Sequence, residues 1–270
     1  MASERMGPEI EHDALWRGID LSGTTAVIGL GEGRLIETLA RQAAAAGAGH
    51  VVAIGFRLDG LSPLRESLSS LPVGYVNARP HSLPLQDSTV DLLVMSGSLR
   101  QIPVTALHSF FEEIWRVLVP GGQLRIADII EPSEAAYNAV WRQRNALIDK
   151  VARALERPTA LYANLTATAE ALNIVGFENL AVTLLPGYPL SETWIESTEE
   201  AVLAMASRLA DPELRRQVLE HDLPRLLRAF RSGEQRAAER FVLRGSKVGA
   251  LALDMEASFT ESDLVSDDET

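Results

Sequence analysis

Residues 24–41 read TTAVIGLGEGRLIETLAR, and this stretch decides the fold. Thr24–Ile28 is an apolar strand, Gly29, Gly31 and Gly33 form a G-x-G-x-G turn, and a helix opens at Gly33. Glycine lets the chain turn tightly and lets a ligand approach the main chain, while the first turn of a helix offers free N–H groups. The layout suits a nucleotide. It also serves a turn that only packs, so the rest of the chain has to choose.

Outward from this turn the pattern alternates. The helix runs through LIETLARQAAAA and stops at Gly47 and Gly49. His50–Phe56 is a continuous apolar run of the kind buried in a parallel sheet. Residues 61–70 give a short helix, Val73–Ala78 a third strand and Val90–Met95 a fourth. Residues 104–118 place Leu107, Phe110, Phe111, Ile114, Val117 and Leu118 at helical spacing, and Pro120-Gly121-Gly122 is expected to stop that helix before a fifth strand at Gln123–Ile130. Strands and helices in this rhythm imply right-handed crossovers and a parallel sheet covered on both faces. Further on come helical stretches at Ser133–Leu155 and Thr166–Leu172, and a strand at Asn179–Leu185. A helical stretch at 197–231 breaks at Asp211-Pro212, and a last strand is expected at Phe241–Val248. The expected organisation is one α/β domain over 1–252, with helical insertions near 131–165 and 192–238.

The composition narrows the function classes. The chain has 270 residues, is 46% hydrophobic and contains no cysteine, which excludes disulfides and thiolate chemistry. No apolar signal core opens it and no apolar run of membrane-spanning length appears, so a cytoplasmic protein that contacts no membrane is expected. The net charge is −12, of which seven acids lie in residues 253–270, so the rest carries −5. That acidic segment reads as a disordered, solubilising tail, or as one that docks on the arginines of 215–244. Nothing suggests a nucleic-acid surface, which would need a basic patch.

LPLQDSTVDLLVMSGSLRQIP, followed by FFEEIWRVLVPGGQLRIADI, closely resembles the small-molecule class of S-adenosylmethionine-dependent methyltransferases. ALNIVGFENLAV and FVLRGSKV resemble that family's late helix–strand segment and its terminal antiparallel strand. The resemblance implies a Rossmann-like sheet of seven strands, mostly parallel with an antiparallel last strand. It implies S-adenosylmethionine in the crevice where the turns after strands one, two and four meet, with no metal. Gly29, Gly31, Glu32, Gly33, Gly55, Phe56, Arg79 and Ser96 are the expected cofactor contacts.

Three positions depart from the family pattern. The acid two residues before the first glycine is Val27, the ribose acid at the end of strand two is Gly55, and the acid expected for the adenine amine is Arg79. Glu32 and Asp59 are the candidate substitutes. Charge-assisted hydrogen bonds contribute about 1.5–3 kcal/mol each, so several losses weaken affinity by roughly a hundredfold. An intact scaffold without its acids favours a degenerate member. Such a protein lacks ordinary methyl transfer and acts as a binding or regulatory subunit, or on a different ligand. Arg57 and Arg79 would then favour an anion.

The alternative is an active methyltransferase with a non-standard cofactor site and a small-molecule acceptor. His108, Asp128 and Glu131 are the candidate bases, and Tyr137, Trp141 and Tyr162 are candidates for an acceptor pocket. A nicotinamide site would want a third glycine at Arg34. The apolar residues of 197–240 offer either a lid or a homo-oligomer surface. A small-molecule ligand or a protein partner is expected in either case.

Overall fold

The structure is a computed structural model. It describes residues 14–29, 33–56, 61–132, 134–156 and 160–249. Gly31, Glu32, Arg57, Asp59 and the acidic tail lie outside the described residues.

Seven strands form one sheet in the order β3-β2-β1-β4-β5-β7-β6. They are β1 (Thr24–Ile28), β2 (His50–Gly55), β3 (Val73–Asn77), β4 (Val90–Ser96), β5 (Leu118–Ile129), β6 (Glu178–Leu185) and β7 (Arg240–Ser246). The first five run parallel, and β7 is antiparallel to both neighbours. Ala26, Val27 and Ile28 of β1 are fully buried at the centre, as a strand covered on both faces requires. Helix α1 (Arg34–Ala45) and helix α2 (Leu61–Ser67) cover one face. Leu35, Ile36, Leu39 and Ala43 of α1 pack there with Val27, Val51 and Leu92. Helix α3 (Leu107–Val117) and helix α5 (Leu165–Val175) cover the other face with Phe110, Phe111, Ile114 and Leu172. Between these two in sequence lies α4 (Ala139–Ala154).

The Pro-Gly-Gly stretch behaves differently from the expected helix stop. Helix α3 already ends at Val117, and β5 begins at Leu118 and runs through Pro120-Gly121-Gly122. The register absorbs the three residues as an irregularity, with Val90 opposite Leu118 but Leu92 opposite Gln123. A bulge of this kind keeps the downstream alternation in phase with the buried faces.

Arg116, near the end of α3, explains the conjunction of the Leu-Pro and Arg-Val-Leu segments. Its guanidinium donates to the carbonyls of Leu83 (3.0 Å) and Leu85 (2.9 Å), to both oxygens of Glu113, and to Asp87. Glu113 Oε1 in turn accepts the Leu83 N–H at 2.7 Å. The loop before β4 is thereby clamped to α3. The neighbouring guanidinium holds the Glu113 carboxyl below its ordinary range.

The remaining helices form a second, smaller core. Helix α6 (Glu192–Ala206), helix α7 (Pro212–Gln217), a π turn at Val218–Asp222 and helix α8 (Leu223–Phe230) pack on α4. Val140, Leu147 and Val151 of α4 meet Ile195, Val202, Leu223 and Leu226. Trp141 stacks on Trp194 and Trp194 on Phe230, with centroids 5.7 and 6.3 Å apart. Lys150 Nζ reaches Asp222 Oδ2 at 2.7 Å. Much of the apolar surface of residues 197–230 is thus taken up inside the chain, as a roof over the sheet. Among the described residues, no helix is long and apolar enough to cross a membrane.

Candidate active site

The turn after β1 is built by contacts from two neighbouring strands. Gly29 has φ 93°, a conformation that L side chains rarely adopt. Its N–H donates to the Ile54 carbonyl of β2 at 3.1 Å. A Cβ there would stand 2.7 Å from the Ser98 Cβ. Ser98 is buried, and its hydroxyl donates to the Ile28 carbonyl at 2.9 Å. Gly33, with φ 80°, opens α1, and a Cβ on it would stand 2.5 Å from a Leu64 methyl. Packing alone therefore accounts for both glycines. The same geometry leaves bare main chain at the strand end where a nucleoside would lie.

The side chains at the other strand ends do not supply the usual carboxylate. Gly55 closes β2, buried, and its carbonyl accepts the Ala78 N–H at 3.0 Å. Phe56 is half-buried and packs against the α3 side of the core. Arg79 is exposed and forms a small bridge with Ser82. Among the described residues, no Asp or Glu follows the ends of β1, β2 or β3. For S-adenosylmethionine the backbone half of the site fits. The ribose carboxylate does not come from the described residues, and Glu32 and Asp59 lie outside them. Among the described residues, no group of three or more His, Asp or Glu stands together to hold a metal.

Beside this turn, at the carboxyl ends of β4 and β5, opens a cavity of about 760 Å³. Ser96 and Gly97 form its wall towards β1, and Asp128 and Ile129 its floor. One face of α4 roofs it with Trp141, Arg144, Asn145 and Ile148, spaced as neighbours on a helix. Tyr162, Tyr188 and Arg240 close the side. The Arg240 guanidinium lies 5.0 Å from the centroid of the Tyr188 ring.

Asp128 is 2% exposed. Its carboxylate accepts the N–H groups of Ile129 (2.8 Å) and Arg100 (3.2 Å), with Arg100 Nη1 at 3.4 Å. Burial raises its pKa, and Arg100 together with the N–H groups opposes that rise. Of the three candidate bases, Asp128 alone lines the cavity. His108 stands on the solvent face of α3, 3.3 Å from Glu112, and Glu131 is exposed beyond β5. Trp141 and Tyr162 line the cavity, while Tyr137 is exposed. Sequence reasoning missed Arg100, Arg144, Asn145, Tyr188 and Arg240. One signal was available: Arg144 and Asn145 follow Trp141 by three and four residues on the same helix.

Comparison with known proteins agrees with this geometry. Residues 26–122 match the family described as "Methyltransferase domain". The fold is that of the class I methyltransferases. Its relatives include the demethylmenaquinone methyltransferase of Chlamydia trachomatis serovar L2, 34% identical over 90 residues. That match covers 33% of this chain and 37% of the relative. The ubiquinone/menaquinone biosynthesis C-methyltransferase of Citrobacter koseri is 39% identical over 71 residues, 25% of this chain and 28% of that one. The chain therefore spans well under half the length of the curated relatives it matches. Its fold also superposes on the [4+2]-cyclase SpnF with a TM-score of 0.59, at 16% identity over 92% of this chain and 84% of that one. The geranyl diphosphate C-methyltransferase of Streptomyces coelicolor A3(2) gives 0.53, at 12% identity over 89% and 80%. The family match holds Gly29, Ser96 and Arg100 but ends before Asp128 and the helical roof.

Proposed function

We propose that this domain transfers a methyl group from S-adenosylmethionine to a small molecule seated in the β4–β5 cavity. The observation that carries this reading is the shared wall. The main chain at Ser96 lies against the Gly29 turn, where a Cβ on Gly29 would stand 3.6 Å from the Ser96 carbonyl, and Ser96 and Gly97 also line the cavity. A donor lying on the Gly29 turn thus adjoins an acceptor in the cavity, and positioning supplies much of the rate for such a transfer. The bound cofactor supplies the electrophilic methyl. Gly29 gives it bare main chain to lie on, the roof of α4 excludes water, and Asp128 offers a carboxylate oxygen to a proton leaving the acceptor.

A second reading, a domain that has lost ordinary methyl transfer, is favoured by one specific observation. Both described glycines are explained by packing, and among the described residues no carboxylate follows β1, β2 or β3. A neighbour described as a cyclase illustrates that this fold does not dictate methyl transfer. Calorimetric titration with S-adenosylmethionine and its demethylated product separates the two. Micromolar binding is expected for an active enzyme. No heat at millimolar ligand, from a folded sample, refutes methyl transfer and leaves the second reading.

A further inference from the structure

The chain is acidic overall, yet the cavity is not. Among the described residues, three guanidinium groups, Arg100, Arg144 and Arg240, and one carboxylate, Asp128, line it. Asp128 is engaged by Arg100 and two main-chain N–H groups. Among the described residues, no carboxylate lies within ion-pair distance of Arg144. Its Nη1 donates to Asn145 Oδ1 at 2.9 Å, and its Nε is sealed from solvent without an acceptor.

The same imbalance recurs in the neutral groups. Trp141 Nε1 is a second buried donor without an acceptor. The Tyr162 hydroxyl accepts from Asn145 Nδ2 at 3.0 Å, which leaves its own hydrogen to give. Arginine stays charged, and its planar fork matches carboxylate and phosphate oxygens. Burial and the nearby Arg100 charge both disfavour the Arg144 cation, a penalty that a bound anion relieves. Around these donors the wall is apolar, with Ile102, Leu107, Ile148 and the Trp141 ring.

We propose that the cavity takes an organic anion, an apolar or aromatic body carrying a carboxylate or phosphate, with its oxygens seated against Arg144. An uncharged molecule would leave the Arg144 cation without a counter-ion, and inorganic phosphate would leave the apolar wall uncovered. As a statement about the methyl acceptor this rests on the proposed function. As a statement about what fills the cavity it is tested without cofactor.

The test compares two fluorescent probes of nearly the same shape on the full chain. One is 1-anilinonaphthalene-8-sulfonate, an aromatic anion, and the other is N-phenyl-1-naphthylamine, its uncharged counterpart. The anion is expected to bind one per chain and about tenfold or more tighter than the neutral probe. R144M should weaken the anion about tenfold and leave the neutral probe within about twofold, whereas R144K should keep most of the preference. Equal affinity for the two probes, absence of saturable anion binding, or an unchanged anion affinity in folded R144M overturns the assignment. Should R144M fail to fold, the two probes on the unaltered chain still decide. Failure of S-adenosylmethionine to bind, measured separately, would remove methyl transfer and leave this result standing.

Discussion

Replacing Arg116 by methionine should destabilise the domain by about 3 kcal/mol. Methionine keeps much of the apolar stem and removes the guanidinium. The Leu83 and Leu85 carbonyls then lose their donor, and Glu113 and Asp87 lose their cation. A hydrogen bond to a charged group contributes about 1.5–3 kcal/mol. The lower end applies here, because the Arg116 side chain is 32% exposed. The two carboxylate contacts face water in part and add little. For a chain of this size the loss corresponds to a fall of roughly 6–12 °C in Tm. Urea unfolding followed by circular dichroism measures it, and hydrogen exchange should show reduced protection at the Leu83 amide. The carboxyl of Glu113 is depressed below its ordinary 4.5. Its share of the stability is therefore present above that value and lost as pH falls through the folded-state pKa. The gap between the parent and R116M should be constant near neutrality and narrow in acid. A loss under about 1 kcal/mol at pH 7, or a gap that widens in acid, refutes the clamp.

Two further outcomes are expected. The Asp128 pKa is raised by burial above its ordinary 3.8, so ionisation of this group costs stability as pH rises through that interval. D128N is free of that cost and should gain relative to the parent as pH rises from about 4, read by urea unfolding at each pH; a relative stability independent of pH would show that Arg100 cancels the burial. R79D places a carboxylate at the exposed end of β3, where adenine recognition is expected, and should tighten S-adenosylmethionine about tenfold in calorimetry. Unchanged affinity would place the cofactor away from β3.

The sheet was legible because its signals are local and redundant. Buried apolar runs such as HVVAIG and VDLLVMS, each bounded by turn residues, leave little choice but parallel strands. The start of β5 was not, because Leu118–Gly122 carries helix-stop residues that in fact form an irregular strand. The candidate site was legible only where it lies on the sheet. Ser96 and Asp128 end strands, so their chain positions place them at the crevice. His108 has a suggestive chemistry, but its place beside Leu107, Phe110 and Phe111 turns it to solvent. Arg144 and Arg240 look like ordinary surface cations in sequence. Their setting depends on the roof lying across the ends of β4 and β5, which no local pattern records.

The roof has its own core, assembled from helices 38 residues apart in the chain, between Ala154 and Glu192, and joined through Trp141, Trp194 and Phe230. Trp141 belongs to both worlds: one side of it packs in the aromatic stack and the other faces the cavity. Drift in the roof can therefore redraw the cavity's outline while the sheet and its Arg116 clamp stay as they are. Lineages that share the sheet and differ in this bundle should diverge in what they accept sooner than in how they fold.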